Sequence, residues 1–377
     1  MTTASNLIDE APLTGFHKKL TAYSSGGPFI DGYAIAIIGV AFTTLTPAMA
    51  LSNGDKGLIA AASLAGIFAG GAVFGYVTDR IGRHIMYLVD LAALAVFSVL
   101  SAFATEVWHL VVLRFLLGAA IGADYPIATS LLAEYLPRRY RGRLLGATFV
   151  VWAAGAAAAY MAGAALQSLG ADAWRYMLAS PAIFAVVTLW MRLGTPESPR
   201  WLLSKGRVEE ADRSIKKVFG PDYGVADLAD DSAPAKTSYA AVFRPPYLKR
   251  TAFVAVFWTA QVIPMMALYA FAPDLLAGLG IEGNAAEIFL AMLFVVGGIP
   301  GLWLVDRIGR RALLLWSFAL AAVALGVPGV FPGVPVWVSF AAVCLFALAS
   351  GGSSFLEVVY PNELFPTEVR ATAVGVG

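Results

Sequence analysis

Ten apolar segments of about twenty residues each divide this 377-residue chain, and no other feature limits its fold as strongly. A helix needs about 20 mostly apolar residues to cross the hydrocarbon core of a bilayer. Strands of a membrane barrel would be about ten residues long with alternating polarity, whereas these segments are continuous. The sequence therefore predicts an all-α membrane protein. The predicted spans are 22–50, 57–77, 85–104, 109–133, 144–168, 174–194, 251–276, 286–305, 312–331 and 334–358.

The low charge content agrees with a chain embedded in lipid. Only 14% of the residues are charged and 59% are hydrophobic, whereas a soluble domain carries about 25% charged residues. The formal net charge of +1 gives no reason to expect nucleic acid as a partner. The sequence shows no cluster of metal ligands, no phosphate-binding loop after a strand and no nucleophile with its base. We therefore expect no cofactor, no bound metal and no enzymatic activity.

Basic residues are concentrated in alternate loops, which predicts the orientation of the chain. They precede span 1, join spans 2 and 3, 4 and 5, and 8 and 9, and fill the long connection between spans 6 and 7. By the positive-inside rule these loops and the N-terminus are cytoplasmic. We therefore expect a multi-pass integral protein of the plasma (cytoplasmic) membrane. The residues concerned are His17, Lys18, Lys19, Arg80, Arg83, His84, Arg138, Arg139, Arg141, Arg143, Lys205, Arg207, Arg213, Lys216, Lys217, Lys249, Arg250, Arg307, Arg310 and Arg311.

An internal repeat predicts the architecture. The sequence Asp-Arg-Ile-Gly-Arg at 79–83 recurs at 306–310, an offset of 306 − 79 = 227. Glu134, which lies three residues before a proline, recurs as Glu363 in the same setting, an offset of 363 − 134 = 229. Two motifs at nearly one offset indicate two parallel six-helix repeats in one bundle. The predicted domains are a cytoplasmic N-terminal segment 1–21, an N-terminal half 22–194, a cytoplasmic linker 195–250 and a C-terminal half 251–377.

The second copy of the repeat is shorter than the first. The first copy continues after Arg141 through two further spans, whereas only 377 − 370 = 7 residues follow Arg370. A complete second copy would need about 50 more residues. We therefore expect a C-terminally truncated bundle with ten spans, in which the last two are missing.

The loop between spans 2 and 3 resembles a signature of the major facilitator superfamily. It contains Gly75, Asp79, Arg80, Gly82 and Arg83 at the spacing of that signature, and the second copy is partial because a leucine replaces the first glycine. The resemblance implies that these residues latch span 2 to a neighbouring span 11 when the cytoplasmic side is shut. It covers most of the chain and implies a transporter fold.

Three further motifs point to different branches of that superfamily. The sequence 196–202 (Pro-Glu-Ser-Pro-Arg-Trp-Leu) resembles the signature that follows span 6 in sugar porters. The sequence 122–126 (Gly-Ala-Asp-Tyr-Pro) is similar to phosphate and metabolite proton symporters. The sequence 29–33 (Phe-Ile-Asp-Gly-Tyr) is similar to a motif of acid symporters, although Ala34 replaces its second acid. The resemblance therefore implies a sugar-like solute or an organic acid without choosing between them.

Two carboxylates, Asp31 in span 1 and Asp124 in span 4, are predicted to lie well inside the membrane. A charged side chain there costs about 2.5–3.5 kcal/mol on insertion scales and usually marks a functional site. We expect one or both to couple proton entry to solute uptake, with the adjacent Tyr125 at the site. The alternative is a structural ion pair, for instance with Arg114. That arginine could instead attract an anionic solute or extend to the outer headgroups.

Weaker candidates of the same kind lie elsewhere in the spans. Asp90 is expected to reach the membrane interface from the inner end of span 3, and Glu357 is a lesser counterpart of Asp124 in span 10. In span 7, Gln261 and Tyr269 could bind the hydroxyl groups of a solute, as the resemblance to sugar porters implies. Hydrogen bonds between helices are the alternative for these two residues.

The acidic and basic loop residues suggest a gate, by the resemblance above and by their recurrence in the repeat. Glu134 with Arg141, Glu197 with Arg200, and Glu363 with Arg370 are expected to pair. The alternative is that basic loops only hold the orientation and that the pairs are surface salt bridges worth under about 1 kcal/mol each. The predicted gating residues are Gly75, Asp79, Arg80, Gly82, Arg83, Glu134, Arg141, Glu197, Arg200, Asp306, Arg307, Gly309, Arg310, Glu363 and Arg370.

Together these features predict a secondary active transporter that couples protons to the movement of a small organic solute by alternating access. A facilitative uniporter with the same fold is the near alternative. A membrane receptor that binds solute without flux and an inactive truncated fragment are alternatives of another class. The expected partners are the solute, protons and the lipid bilayer, and the protein is expected to be a monomer.

Overall fold

The computed structural model describes residues 7–228, 239–278, 280, 284–331, 333–365, 369, 372 and 373. Helices dominate this part of the chain, and it contains no β-strand. Of the predicted site residues, Arg370 and the side chains of Tyr269 and Asp306 lie outside what the structure describes.

Within the described residues, ten helical spans are long and apolar enough to cross a bilayer, in agreement with the predicted number. Spans 6 and 10 each consist of two consecutive helices, which meet at Ser180 and Phe355. Pro181 explains the first break, because proline has no N–H group to continue the helical ladder. The spans are Gly15–Met49, Asn53–Ile81, Arg83–Ser101, Val107–Tyr135, Arg138–Leu166, Ala173–Ala179 with Pro181–Arg192, Leu248–Gly278, Asn284–Ile308, Arg310–Val330, and Val336–Ser354 with Leu356–Leu364.

Shorter helices lie before and between the spans. Leu7–Glu10 precedes span 1, and the connection between spans 6 and 7 contains Pro199–Ser204 and Val208–Phe219. Span 1 begins at Gly15, several residues before the predicted start, because its first turn is buried: His17 is fully buried and Leu20 nearly so. Burial against neighbouring helices therefore extends this helix beyond its apolar stretch.

Spans 2 and 4 pack so closely that their backbones touch through glycine. A Cβ atom on Gly70 or Gly122 would collide with the backbone of the facing helix, at Ala119 and Ile67 respectively. The same arrangement joins spans 8 and 10, where Gly297 faces the backbone of Leu348. Lipid tails are as apolar as the helix surfaces, so the hydrophobic effect does not drive helices together in a membrane. Close packing through small residues promotes their association instead. The repeated contact reflects the repeated sequence.

The two related sets of helices meet along spans 1 and 7 and along spans 5 and 8. A cavity lies between them, and its walls come from spans 1, 2, 4, 7 and 10. The outer surface carries large apolar side chains such as Trp190 and Trp316, which are 75% and 73% exposed. Such a surface is stable against lipid tails rather than water.

Candidate functional site

Asp31 lies in the middle of span 1 without a hydrogen-bond partner. Its side chain is 1% exposed, and within the described part of the chain neither carboxylate oxygen accepts a hydrogen bond. It is close enough to Asp124, Asp90 and Arg192 to interact with them electrostatically. A buried carboxyl without partners is costly when ionised. Asp31 was predicted to lie well inside the membrane, and the structure buries it among the helices.

Arg192, at the end of span 6, holds the other two acids of this region. One guanidinium N–H donates to Asp124 at 2.8 Å, and Asp90 lies 3.7 Å away. The guanidinium also lies 3.6 Å from the centre of the Tyr87 ring and donates to the main-chain carbonyl of Tyr87 at 3.1 Å. All the charged side chains of this ion cluster (Asp90, Asp124 and Arg192) are buried.

The close approach of Asp124 to span 1 depends on a glycine. A Cβ atom at Gly27 would overlap the Asp124 carboxylate and lie 2.6 Å from the Arg192 guanidinium. The missing side chain therefore makes room for the ion cluster beside span 1.

The ion cluster corrects two predictions. Asp124 pairs with Arg192 rather than with Arg114, and Asp90 is buried beside the same arginine instead of reaching the interface. Sequence reasoning missed Arg192, although the residue falls inside the predicted span 6 (174–194). Two acids in neighbouring spans that needed a counter-charge were the signal that could have identified it.

Arg114 is buried inside the bundle. It is 2% exposed and donates to the main-chain oxygen of Ala34 at 2.9 Å. Its extension to the outer headgroups is therefore wrong. A guanidinium that bonds a span 1 carbonyl one turn from Asp31 connects spans 1 and 4 beside the unpaired carboxyl.

The cavity between the two sets of helices has a volume of about 310 Å³. Its walls are largely apolar, and their polar side chains in the described region are Tyr125, Thr259 and Glu357. Glu357 is 2% exposed, and its Oε1 has no partner. Tyr125 lies within electrostatic range of both Asp31 and Glu357. The tyrosine therefore connects the cavity with the unpaired aspartate.

Gln261 is outside the described cavity wall and bonds the facing helix. Its amide donates to Ser354 Oγ at 2.8 Å and to the Ser350 carbonyl at 3.3 Å, and it accepts from Ser353 Oγ at 3.3 Å. This is the interhelical alternative that the sequence left open. The geometry does not bring Gln261 together with Tyr125 at the cavity.

A second cluster of charges lies at the end of the bundle that carries the basic loops. Arg83 donates to Glu134 at 2.8 Å and lies 3.3 Å from Asp79, and all three are buried. The Asp79 carboxylate also accepts the N–H of Thr372 at 3.1 Å and its hydroxyl at 2.8 Å. This contact joins span 2 to the segment after span 10.

The loop after span 6 packs on the loop between spans 2 and 3. Glu197 accepts the N–H of His84 at 3.0 Å, and the Trp201 indole donates to the Asp79 carbonyl at 3.1 Å. Burial raises the pKa of the Glu197 carboxyl, against the opposing effect of the N–H groups of His84 and Ser198 and of the Arg83 charge. The carboxylate also lies at the N-terminal end of span 3, where the helix dipole favours it.

Gly82 is required at this contact for two reasons. Its φ of +125° is a backbone conformation that side chains disfavour, and an added Cβ would lie 2.6 Å from the Glu197 carboxylate. Gly309, its counterpart in the second copy, has a φ of +81° but faces open space.

Two of the three predicted ion pairs of the loops are corrected by the structure. Glu134 pairs with Arg83 instead of Arg141, and Arg141 pairs with Asp9 at 2.5 Å. Glu197 accepts from backbone groups, while Arg200 lies 3.6 Å from Asp9. Local spacing suggested partners on the same helix end, whereas packing brought partners from other segments.

The observed partner of Glu363 reveals a symmetry between the two copies. Glu363 bonds Arg310 at 3.0 Å, and this pair is the repeat of Arg83 with Glu134, with offsets of 310 − 83 = 227 and 363 − 134 = 229. Arg370, the predicted partner of Glu363, is outside the described residues. The first pair is buried, whereas the side chains of the second are 37% and 40% exposed.

Arg80 and Arg307 also occupy equivalent positions. Arg80 stacks 4.6 Å from the centre of the Tyr76 ring, and Arg307 stacks 3.4 Å from that of Trp303. Both arginines are exposed at the end of a span, next to an aromatic residue one turn earlier. Gly75, on the buried face of span 2, precedes the first of these pairs.

Ten apolar spans in two related sets within the described residues, with a cavity between the sets and buried charges inside the first set, define a polytopic membrane transporter. The fold matches the proton:xylose symporter XylE bound to 6-bromo-6-deoxy-D-glucose, a major facilitator superfamily protein, with a TM-score of 0.81 at 22% identity. That match covers 96% of this chain and 85% of XylE. The chain belongs to the "Sugar (and other) transporter" family, whose model matches residues 19–377.

Two relatives from Escherichia coli (strain K12) support this assignment. The putative metabolite transport protein YaaU is 41% identical over 376 residues, which are 99% of this chain and 84% of the relative. The inner membrane metabolite transport protein YgcS is 38% identical over 377 residues, which are 100% of this chain and 84% of the relative. The protein is therefore a multi-pass membrane transporter and not an enzyme.

Proposed function

We propose that this protein is a proton-coupled symporter of a small organic solute and that Asp31 carries the proton. The observation that supports this most strongly is the lack of any hydrogen-bond partner for both Asp31 oxygens in the described region. Asp124, the other candidate, is held by Arg192 at 2.8 Å. An unpaired buried carboxyl can exchange a proton without first breaking an ion pair, so Asp31 is the better carrier.

The ion cluster gives this proton a reason to bind. Asp90, Asp124 and Arg192 lie within electrostatic range of Asp31, and the two acids oppose a further negative charge there. Another negative charge in the same low-dielectric region is unfavourable, so protonation of Asp31 relieves both burial and repulsion. We assign Asp124 the role of holding Arg192 beside span 1, and Arg114 that of positioning the span 1 backbone near Asp31.

Alternating access requires that one end of the bundle can close and reopen. The contact between Asp79 and Thr372 joins the two halves at the loop end, and Arg83 with Glu134 braces it. We propose that these groups form the gate, together with the remaining loop residues predicted from the sequence.

We also propose that this end and the N-terminus are cytoplasmic. The segment 195–250 then links the halves 22–194 and 251–377, and the protein acts as a monomer in the plasma membrane.

The solute was predicted to be sugar-like or an organic acid. Relatives at lower identity are named for both kinds: the major myo-inositol transporter IolT of Bacillus subtilis (strain 168) at 26% and the 4-hydroxybenzoate transporter PcaK of Acinetobacter baylyi (strain ATCC 33305 / BD413 / ADP1) at 25%. Myo-inositol and 4-hydroxybenzoate therefore serve as first probes, with D-xylose as a third because of XylE.

Purified protein in sealed vesicles that contain a pH-sensitive dye tests the proposal. Addition of a transported probe should acidify the lumen in the absence of any other driving force. Asp31→Asn should abolish this proton entry and the accumulation driven by a pH gradient, while exchange of labelled for unlabelled solute continues. Asp172→Asn, which removes an exposed aspartate in the loop between spans 5 and 6, is the matched control and should behave as the parent.

Two results would contradict the proposal. Solute flux without proton entry in the parent protein would indicate the uniporter alternative. Undiminished proton coupling in Asp31→Asn would show that another group carries the proton, and Asp124→Asn would then be the next variant to measure.

A further inference from the structure

We propose that the solute is an organic cation with an aromatic or apolar body, bound in the central cavity with its positive charge beside Glu357. This inference rests on the proposed transport function and specifies the solute class for the same cavity. It departs from both classes that the sequence suggested, the sugar-like solute and the organic acid.

The first observation is an uncompensated carboxylate in the cavity wall. Glu357 is 2% exposed, it lines the cavity, and its Oε1 has no hydrogen-bond partner in the described region. It follows Phe355, where the two helices of span 10 meet. A buried acid needs a counter-charge or a donor. A ligand in the cavity can supply either one.

The protein offers no counter-charge of its own at this position. The described cavity lining contains no Arg, Lys or His side chain. Two buried arginines of the first set of helices are engaged elsewhere, Arg192 with Asp124 at 2.8 Å and Arg114 with the Ala34 carbonyl at 2.9 Å. The missing positive charge is therefore expected to come from the ligand.

The walls around Glu357 suit the body of such a cation. Tyr125 and Trp258 lie edge to face, with ring centres 5.8 Å apart, and Met265 and Met266 line the same space. The Trp258 indole donates to the Glu357 main-chain oxygen at 3.1 Å, which fixes the ring beside the acid. Aromatic faces attract cations, and quaternary ammonium groups are recognised in aromatic sites of this kind.

The same cavity is poorly suited to the alternatives. A polyol needs several donors and acceptors, but the amide of Gln261 is already bonded to Ser350, Ser353 and Ser354. An organic anion would meet Glu357, with Asp31 nearby and no cationic side chain in the described wall. A volume of about 310 Å³ admits one small molecule.

Calorimetric titration of the purified parent protein at pH 7.5, without a membrane gradient, tests the inference independently of transport. The probes are three molecules of similar body and different charge: benzyltrimethylammonium, 2-phenylethanol and phenylacetate. We expect the cation to bind at least tenfold more tightly than the neutral and anionic probes. Because the comparison uses the parent protein, it stays decisive even if a variant does not fold.

Glu357→Gln keeps the shape of the side chain and removes its charge. It should weaken the binding of benzyltrimethylammonium at least tenfold and change the affinity for 2-phenylethanol by less than twofold. Glu209→Gln removes an exposed glutamate of the Val208–Phe219 helix by the same chemical change and should alter neither affinity. Trp258→Leu should also weaken the cation severalfold, because it removes an aromatic face.

Equal affinity for the three probes, tighter binding of phenylacetate, or no binding of the cation would overturn the inference. Unchanged cation binding in Glu357→Gln would overturn it as well. This holds even if the same variant loses proton-driven accumulation. These outcomes leave the transport proposal intact, because proton entry with another solute is measured separately in vesicles.

Discussion

Replacement of Arg192 by methionine tests whether the buried charges of spans 3, 4 and 6 are mutually compensated. The guanidinium is fully buried, it bonds Asp124 at 2.8 Å, and it lies 3.7 Å from Asp90. Arg192→Met fills similar space but leaves two carboxylates without their counter-charge. Loss of one partner from a buried pair costs about 3–5 kcal/mol, far more than the pair contributes relative to neutral side chains.

The thermal unfolding midpoint of the detergent-solubilised protein, measured at one fixed scan rate, is a suitable assay. A loss of about 3–5 kcal/mol corresponds to a drop of roughly 4–6 °C for a chain of this size. Arg213→Met, which removes an exposed arginine of the linker, is the matched control and should leave the midpoint unchanged.

A triple variant separates charge compensation from packing. If the cost comes from uncompensated acids, then Asp90→Asn and Asp124→Asn added to Arg192→Met should restore more than half of the lost stability, because neutral replacements of buried ion pairs are often tolerated. A triple variant as unstable as Arg192→Met alone would refute this reasoning. A single variant within 1 °C of the parent would refute it too.

Two further predictions concern the loop end of the bundle. Gly82→Ala should lower the unfolding midpoint more than Gly309→Ala, because both change a left-handed glycine but only the first also collides with Glu197; equal losses would show that backbone strain alone matters. In the folded protein the pKa of Glu197 is raised above its ordinary 4.5, so this carboxyl binds a proton more readily in the folded than in the unfolded protein. The resulting contribution to stability is present below pH 4.5 and is lost as the pH rises through the raised pKa. The midpoint of the parent relative to Glu197→Gln should therefore fall as the pH rises above 4.5, and a constant difference between pH 4 and pH 7 would contradict this expectation.

The helices of this protein could be predicted from sequence because length and hydropathy determine them almost alone. Their number and approximate bounds followed from the requirement to span a bilayer, and the repeated motif at 79–83 and 306–310 predicted the duplicated arrangement. The start of span 1 differed, because burial of His17 and Leu20 against other segments is a tertiary effect. Apolar content does not report such contacts.

The charged partners could not be predicted from local spacing. Glu134 and Arg141 lie near each other in sequence, yet Glu134 bonds Arg83 from another loop, and Arg141 bonds Asp9 near the N-terminus. Arg192 was overlooked because nothing near it in sequence shows that its guanidinium turns inward toward Asp124. Residue type and depth in the membrane identified Asp31 and Asp124 as candidates, but only the packing distinguished the unpaired acid from the paired one.

The contact between Asp79 and Thr372 has a consequence for how the bundle responds to its surroundings. Its donors are a main-chain N–H and a hydroxyl, so separation of the two segments pulls no cation away from the carboxylate. Dissolved salt weakens attraction between two opposite charges much more than a hydrogen bond with a neutral donor. The rate at which this end opens should thus vary little with ionic strength, and the membrane voltage should do little work on the separation itself.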